Sequence, residues 1–149
     1  MQVDDLQFIA KTQDFSKDYD HLRNRLQAYN GSQIENYRVD DLLLLYKTPN
    51  EEIVAGLYGY QSMGRFCVDM LWVGDAYRNR GLGSELLKYA EKQSSNLNDL
   101  YVRVNTASFQ ALDFYRKNGY KVLSKLPLKT NHLEQQYDYC LVKYLTEIL

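Results

Sequence analysis

The sequence predicts an α/β protein of the α+β kind, built on one mixed and mostly antiparallel sheet. Three observations lead there. Strand-like runs follow one another between residues 39 and 73 with only short turns between them, the pattern of a meander. Around residues 71–90 a strand, a polar glycine-bearing turn and an amphipathic helix succeed each other. The chain then closes with a strand, a helix and two more strands, with no repeat or linker to divide it. One domain over 1–149 is expected.

Taken in order, Leu6–Ala10 is the first expected strand. A helix follows from about Ser16 to Tyr29, because Tyr19, Leu22, Leu26 and Tyr29 recur at helical spacing and Asn30-Gly31 reads as its stop. Val39–Lys47 and Ile53–Gln61 form a hairpin turned by Pro49 and Asn50, and a second turn near Ser62–Gly64 leads into Arg65–Val73. Leu82, Leu86, Leu87 and Ala90 mark one face of a helix that fades into the polar run Gln93–Asp99. After the strand Leu100–Val104, Ser108 is the expected N-cap of a helix carrying Ala111, Phe114 and Tyr115, and Asn118-Gly119 ends it. Tyr120–Leu126 and Tyr137–Leu145 are the last strands, joined by a polar loop with His132.

Composition excludes several partners. The 149 residues are 45% hydrophobic and 25% charged, with a formal net charge of -1. Lysine and arginine are scattered rather than gathered in the basic stripe a nucleic-acid surface needs. No apolar run approaches the roughly 20 residues of a membrane span, and Asp4 and Asp5 break the basic-then-apolar order of a signal peptide. No nucleic acid and no membrane are expected as partners, and the expected location is cytoplasmic. Cys67 and Cys140 sit in strand-like runs and read as reduced buried thiols, and no residues have metal-ligand spacing.

The most informative stretch runs from Leu71 through Trp72, Val73, Arg78, Arg80, Gly81 and Gly83 to Ser84. A strand ends, a basic glycine-bearing turn follows, and a helix begins near Leu82. The first turn of a helix leaves N–H groups without intrahelical partners and carries partial positive charge. Glycines remove Cβ atoms from the approach of an anion, and Arg78 and Arg80 add fixed charge. Together these read as a pyrophosphate site. It is not a P-loop, since Gly83-Ser84-Glu85 supplies no lysine, nor a dinucleotide fingerprint, since Leu86 stands where a third glycine belongs.

Arg78-x-x-Gly81-x-Gly83 after a Leu-x-Val strand end resembles the pyrophosphate motif of the GNAT superfamily of N-acetyltransferases. The second half agrees: Ala111, the Phe114-Tyr115 pair and Gly119-Tyr120 match the family's following helix. Leu71-Trp72-Val73, Thr106-Ala-Ser-Phe-Gln-Ala111 and Asn131-His132 look closest to a small bacterial single-domain branch. The chain departs from many members at Ser108, where an asparagine often contacts the cofactor arm. The resemblance implies the GNAT fold: six or seven strands, about four helices, and a splay between the fourth and fifth strands.

It also implies acetyl-CoA as co-substrate, without a metal, and a small-molecule or peptide amine as acceptor; a homodimer stays open. Cofactor contacts fall on Leu71 and Val73 through their backbone, on Arg78, Asn79, Arg80, Gly81, Leu82, Gly83 and Ser84 around the pyrophosphate, and on Asn105, Ser108 and Tyr115. By the same resemblance Tyr115 sits close to the sulfur and protonates the leaving thiolate. The attacking amine must be neutral, so a base is sought. Asp69, placed by two-residue alternation on one face with Cys67, Leu71 and Val73, is the leading choice, with His132 or a water chain as alternatives. A coenzyme A-binding sensor without turnover is the alternative to an enzyme. Polyamines, aminoglycosides, small amino compounds and protein N-termini all stay open as acceptors.

Overall fold

Alternating apolar residues build β1 (Asp40–Lys47), β2 (Ile53–Ser62) and β3 (Arg65–Val73) into an antiparallel meander in the computed structural model, which describes residues 2–146. On the inward face, Leu42, Leu44 and Tyr46 of β1 lie opposite Gly59, Leu57 and Ala55 of β2. Those three in turn face Val68, Leu71 and Val73 of β3. The turn between β2 and β3 holds Met63 at φ 50° and Gly64 at φ 75°, the two left-handed residues whose twist suits a two-residue hairpin.

Helix α2 (Leu82–Asn96) lays Leu86, Leu87 and Ala90 on this face, all buried in the core. Burying each such leucine contributes about 1.5–3 kcal/mol, and this fixes the helix against the sheet. The chain returns as β4 (Tyr101–Ala107), parallel to β3, and continues through α3 (Leu112–Lys117), β5 (Lys121–Leu128) and β6 (Gln136–Tyr144). The strand order is β1-β2-β3-β4-β6-β5.

The feature that positions the site lies between β3 and β4. They pair only from Arg65 opposite Tyr101 to Val68 opposite Val104. Beyond that, β3 runs on beside β2 to Val73 while β4 runs on beside β6 to Ala107, so the two strands open into a V.

The chain divides into two compact units, Met1–Tyr37 and Arg38–Leu149. The first contains α1 (Ser16–Gln33). Two expectations fail in this unit. Leu6–Ala10 forms no strand, and Phe8 is 96% exposed, because a short apolar run without a ladder neighbour has nothing to pair with. Asn30-Gly31 does not stop α1; the helix continues to Gln33, and the left-handed residue past its end is Asn36 at φ 57°. The described residues therefore hold six strands and three α-helices rather than about four. The splay falls between the third and fourth strands, on the same segments that the resemblance implied.

Candidate active site

The mouth of the V, the start of α2 and one side of α3 together line a cleft of about 1030 Å³. Leu71, Val73, Arg78, Asn79, Gly81, Leu82, Gly83, Ser84, Asn105, Ser108 and Tyr115, all picked out from the sequence, line it. Arg80 does not line it: its guanidinium lies 5.7 Å from the Tyr77 ring centroid, a cation–π contact. Phe109 and Tyr77 were missed as lining residues; an aromatic in a turn carries no period that marks it in sequence.

The α2 end of the cleft offers donors that suit an anion. The first intrahelical bond runs from Glu85 N–H to Gly81 O at 3.0 Å, and no side chain caps the helix. The amides of Leu82, Gly83 and Ser84 thus have no carbonyl partner within the helix, and the helix dipole adds positive potential there. Asn79 and Gly81, both left-handed at φ 60° and 82°, bend the chain around this point. Gly83 has a packing reason to be small as well. A Cβ there would stand 3.2 Å from the Phe114 ring, so the packing of α3 onto α2 also favours a small residue at this position. Arg78 is partly engaged, its Nε donating to Val73 O at 3.0 Å and its guanidinium paired with Asp75 at 3.0 Å.

The β3 wall carries open backbone donors. Gly74 N–H is turned toward β2, where it donates to Val54 O at 2.9 Å. Peptide groups alternate along a strand, so the amides of Leu71 and Val73 point the opposite way, into the gap that β4 has left. An extended, amide-bearing arm fits such an edge as an added strand would. Both donor sets suit coenzyme A: a pyrophosphate at α2 and a pantetheine arm along β3.

Tyr115 forms part of the opposite wall. It is 4% exposed yet lines the cleft, its ring edge-on to Phe114 at 5.1 Å and to Tyr120 at 5.7 Å. Burial pushes its phenol up to about 12. Tyr120 is pushed up as well, first by burial and then by the Glu91 carboxylate and Tyr115. The consequence for stability has a definite sign. Unfolded phenols ionise near pH 10 while these two keep their protons, so above that pH the unfolded state binds fewer protons. Stability should be fully present below about pH 10 and fall by about 1.4 kcal/mol per pH unit for each tyrosine from there to about pH 12. Chemical denaturation between about pH 9 and 11 measures this. The slope should be shallower in Tyr120→Phe, and an unchanged slope in that variant would show that Tyr120 ionises equally in both states.

Two further expectations are corrected here. Ser108 does not cap α3, whose N-cap is Ala111. The Ser108 hydroxyl instead donates to Gln136 Oε1 at 2.7 Å and accepts from Tyr137 N–H at 3.0 Å, tying the end of β4 to β6. Asp69 is exposed and is not part of the cleft lining. Tyr58 pairs with Met70 and Gly59 with Val68, so Asp69 is the extra residue of a β-bulge. The bulge breaks the alternation, and Leu71 and Val73 share the core face with Phe66 and Val68 rather than with Cys67. Asp69 nonetheless stands first past the last β3–β4 pair, at the apex of the V. His132 is exposed, stacked on Phe109 at 6.1 Å. Both cysteines are free thiols, Cys67 buried and Cys140 half-buried. Among the described residues no three His, Cys, Asp or Glu side chains gather as a metal-ion ligand set, and no helix is long and apolar enough to cross a membrane.

A strand that parts from its parallel neighbour beside an uncapped helix start is the arrangement that the resemblance implied, and the comparisons with known proteins show the family. The sequence profile of the acetyltransferase (GNAT) domain matches residues 40–122, from β1 into β5. The chain belongs to this GNAT acetyltransferase family. Blasticidin-S acetyltransferase of Streptomyces morookaense is 35% identical over 77 residues, 51% of this chain and 57% of that protein; the match thus spans little more than half of that relative's length. A crystal structure from Agrobacterium tumefaciens, assigned as an acetyltransferase, superposes with a TM-score of 0.82 at 22% identity, covering 93% of this chain and 99% of its own. A protein from Bacillus anthracis str. Ames, assigned as a streptothricin acetyltransferase and solved in complex with acetyl coenzyme A, gives 0.60 at 15% identity over 76% of this chain and 66% of its own. At these identities the two structures show the fold.

Proposed function

We propose that this chain transfers an acetyl group from acetyl-CoA to a primary amine by direct attack within a ternary complex. The observation that carries the reading is the single cleft joining three features: the uncapped start of α2, the open edge of β3 and the Tyr115 wall. Bound acetyl-CoA supplies an acetyl thioester whose carbonyl the amine attacks and whose sulfur leaves as a thiolate. Arg78 and the amides of Leu82, Gly83 and Ser84 hold the pyrophosphate. Leu71 and Val73 orient the arm through their N–H groups, with Asn105 and Ser108 on the β4 side of the gap. Tyr115 presents its O–H to the leaving sulfur. Asp69, exposed at the apex of the gap and outside the cleft lining, takes through intervening water the proton that the incoming ammonium must lose.

The test is coenzyme A thiol release across a panel of primary amines, headed by blasticidin S because a relative is named for it. Release that depends on the amine and saturates with it is the expected result. Tight acetyl-CoA binding with no release for any amine would instead mark a sensor. In the same assay Asp69→Asn should flatten the acidic limb of the kcat/KM profile and recover activity at high pH, where the amine is already neutral. Because Asp69 is exposed, the melting temperature should not move. An unaltered pH profile would pass the role to His132 or to ordered water.

A further inference from the structure

Tyr120 is used by none of the steps above, yet its surroundings are unusual. It is 3% exposed, and its hydroxyl is buried with no hydrogen-bond partner. A phenylalanine of the same shape would avoid that desolvation, so it is the ring and its contacts, not the hydroxyl, that the position uses. Its ring meets Tyr115 edge to face, 5.7 Å between centroids at 69°. Beyond the ring, the Lys143 ammonium of β6 lies 5.9 Å from the Tyr120 centroid. That ammonium donates to Glu91 of α2 at 2.7 and 3.3 Å. Glu91 is itself 8% exposed and the Lys143 side chain 35% exposed, so the pair is partly shielded from water.

The Tyr115 ring thus meets two others. Phe114, edge-on at 5.1 Å, is backed by Gly83 at the start of α2. Tyr120 is backed by the Glu91–Lys143 pair two helical turns further along the same helix. We propose that Tyr120, braced by Glu91 and Lys143, is a positioning residue that fixes the Tyr115 ring and thereby aims its O–H at the leaving sulfur. This rests on Tyr115 being the donor in an acetyl transfer. It adds that the donor's orientation is set from behind, by groups that never touch substrate.

The test is a double-mutant cycle on kcat, read with a positive acceptor amine and with acetyl-CoA affinity measured beside it. Tyr120→Leu should lower kcat about tenfold, since a small misplacement of a catalytic group is costly, while the dissociation constant for acetyl-CoA stays within about twofold. Tyr120→Phe, which returns the ring without the hydroxyl, should restore kcat. In a Tyr115→Phe background Tyr120→Leu should have no further effect, because the O–H it orients is gone. An equal loss in both backgrounds, or no loss in the Tyr115 background, overturns the positioning role. Should Tyr120→Leu not fold, Glu91→Gln carries the same cycle with every ring left in place, and the same two outcomes overturn it. The control separates the two ideas: normal kcat in Tyr115→Phe alone defeats the donor reading, whereas a slow Tyr115→Phe beside an unaffected Tyr120→Leu defeats only this one.

Discussion

Tyr115→Phe should lower kcat by about 100-fold or more and leave acetyl-CoA affinity nearly unchanged. The substitution keeps the ring between Phe114 and Tyr120 and removes only the O–H. The direction of proton flow follows from magnitudes. Burial raises the phenol to about 12, whereas an ordinary thiol ionises near 8.5. Complete transfer from Tyr115 to a thiolate of that acidity would run uphill by about 3.5 pH units, roughly 5 kcal/mol. The larger contribution is then a hydrogen bond to charge as it develops on sulfur, from a phenol that is itself buried. Losing one such donor from a preorganised site typically costs about 10²–10³ in rate. A phenol at about 12 also stays protonated through neutral and mildly alkaline pH, so it adds no alkaline limb to kcat below about pH 11. Rapid-quench measurement of the chemical step in the variant decides the matter. An unchanged rate would make Tyr115 a packing residue whose leaving group is stabilised by solvent.

How far the sequence could be read differs between the sheet and the site. Arg65–Val73 is a strand with the bounds its composition predicts, because alternating large side chains against a short Gly64 turn leave few other arrangements. The turn after Val73 stood out by its arginine and paired glycines between a strand and a helix, and it lines the cleft. What was not legible was the phase slip inside β3. The core-facing residues Phe66, Val68, Leu71 and Val73 step by two, three and two, and the step of three is the trace the bulge leaves in sequence. Gly59 is its partner signal: a Cβ there would stand 2.4 Å from Cys67 O. Strict alternation grouped Asp69 with Leu71 and Val73 for that reason, whereas it is the exposed residue of the bulge. Ser108 misled differently. A serine two or three residues ahead of an apolar helix face is a good cap by type, but its hydroxyl is taken by Gln136, 28 residues away in sequence. Local propensity loses to a tertiary partner it has no means to register.

The start of α2 offers a test in which stability and binding move in opposite directions. Gly83→Asp would be ambiguous, because its Cβ would press on Phe114 and could disorder Tyr115 without any role for the anion site. Ser84 avoids this: it lies one position on, half-buried, in the first turn of a helix that has no side-chain cap. An aspartate there places a carboxylate beside unpartnered amides at the positive end of the helix dipole, which stabilises a free helix by about 0.3–1 kcal/mol. Ser84→Asp should therefore hold or raise the melting temperature of the free protein. The same carboxylate takes up the amides and the potential on which a pyrophosphate depends, and it adds like-charge repulsion. Two charge-assisted hydrogen bonds are worth about 1.5–3 kcal/mol each, so acetyl-CoA affinity should fall by at least about 100-fold. Calorimetric titration together with a melting curve on one preparation reads both effects. A more stable protein that has lost acetyl-CoA places the anion at the amides of Leu82, Gly83 and Ser84. Near-native affinity in a folded Ser84→Asp protein would move the pyrophosphate away from the helix start, leaving Arg78 and the Asn79–Gly81 bend as its only holders.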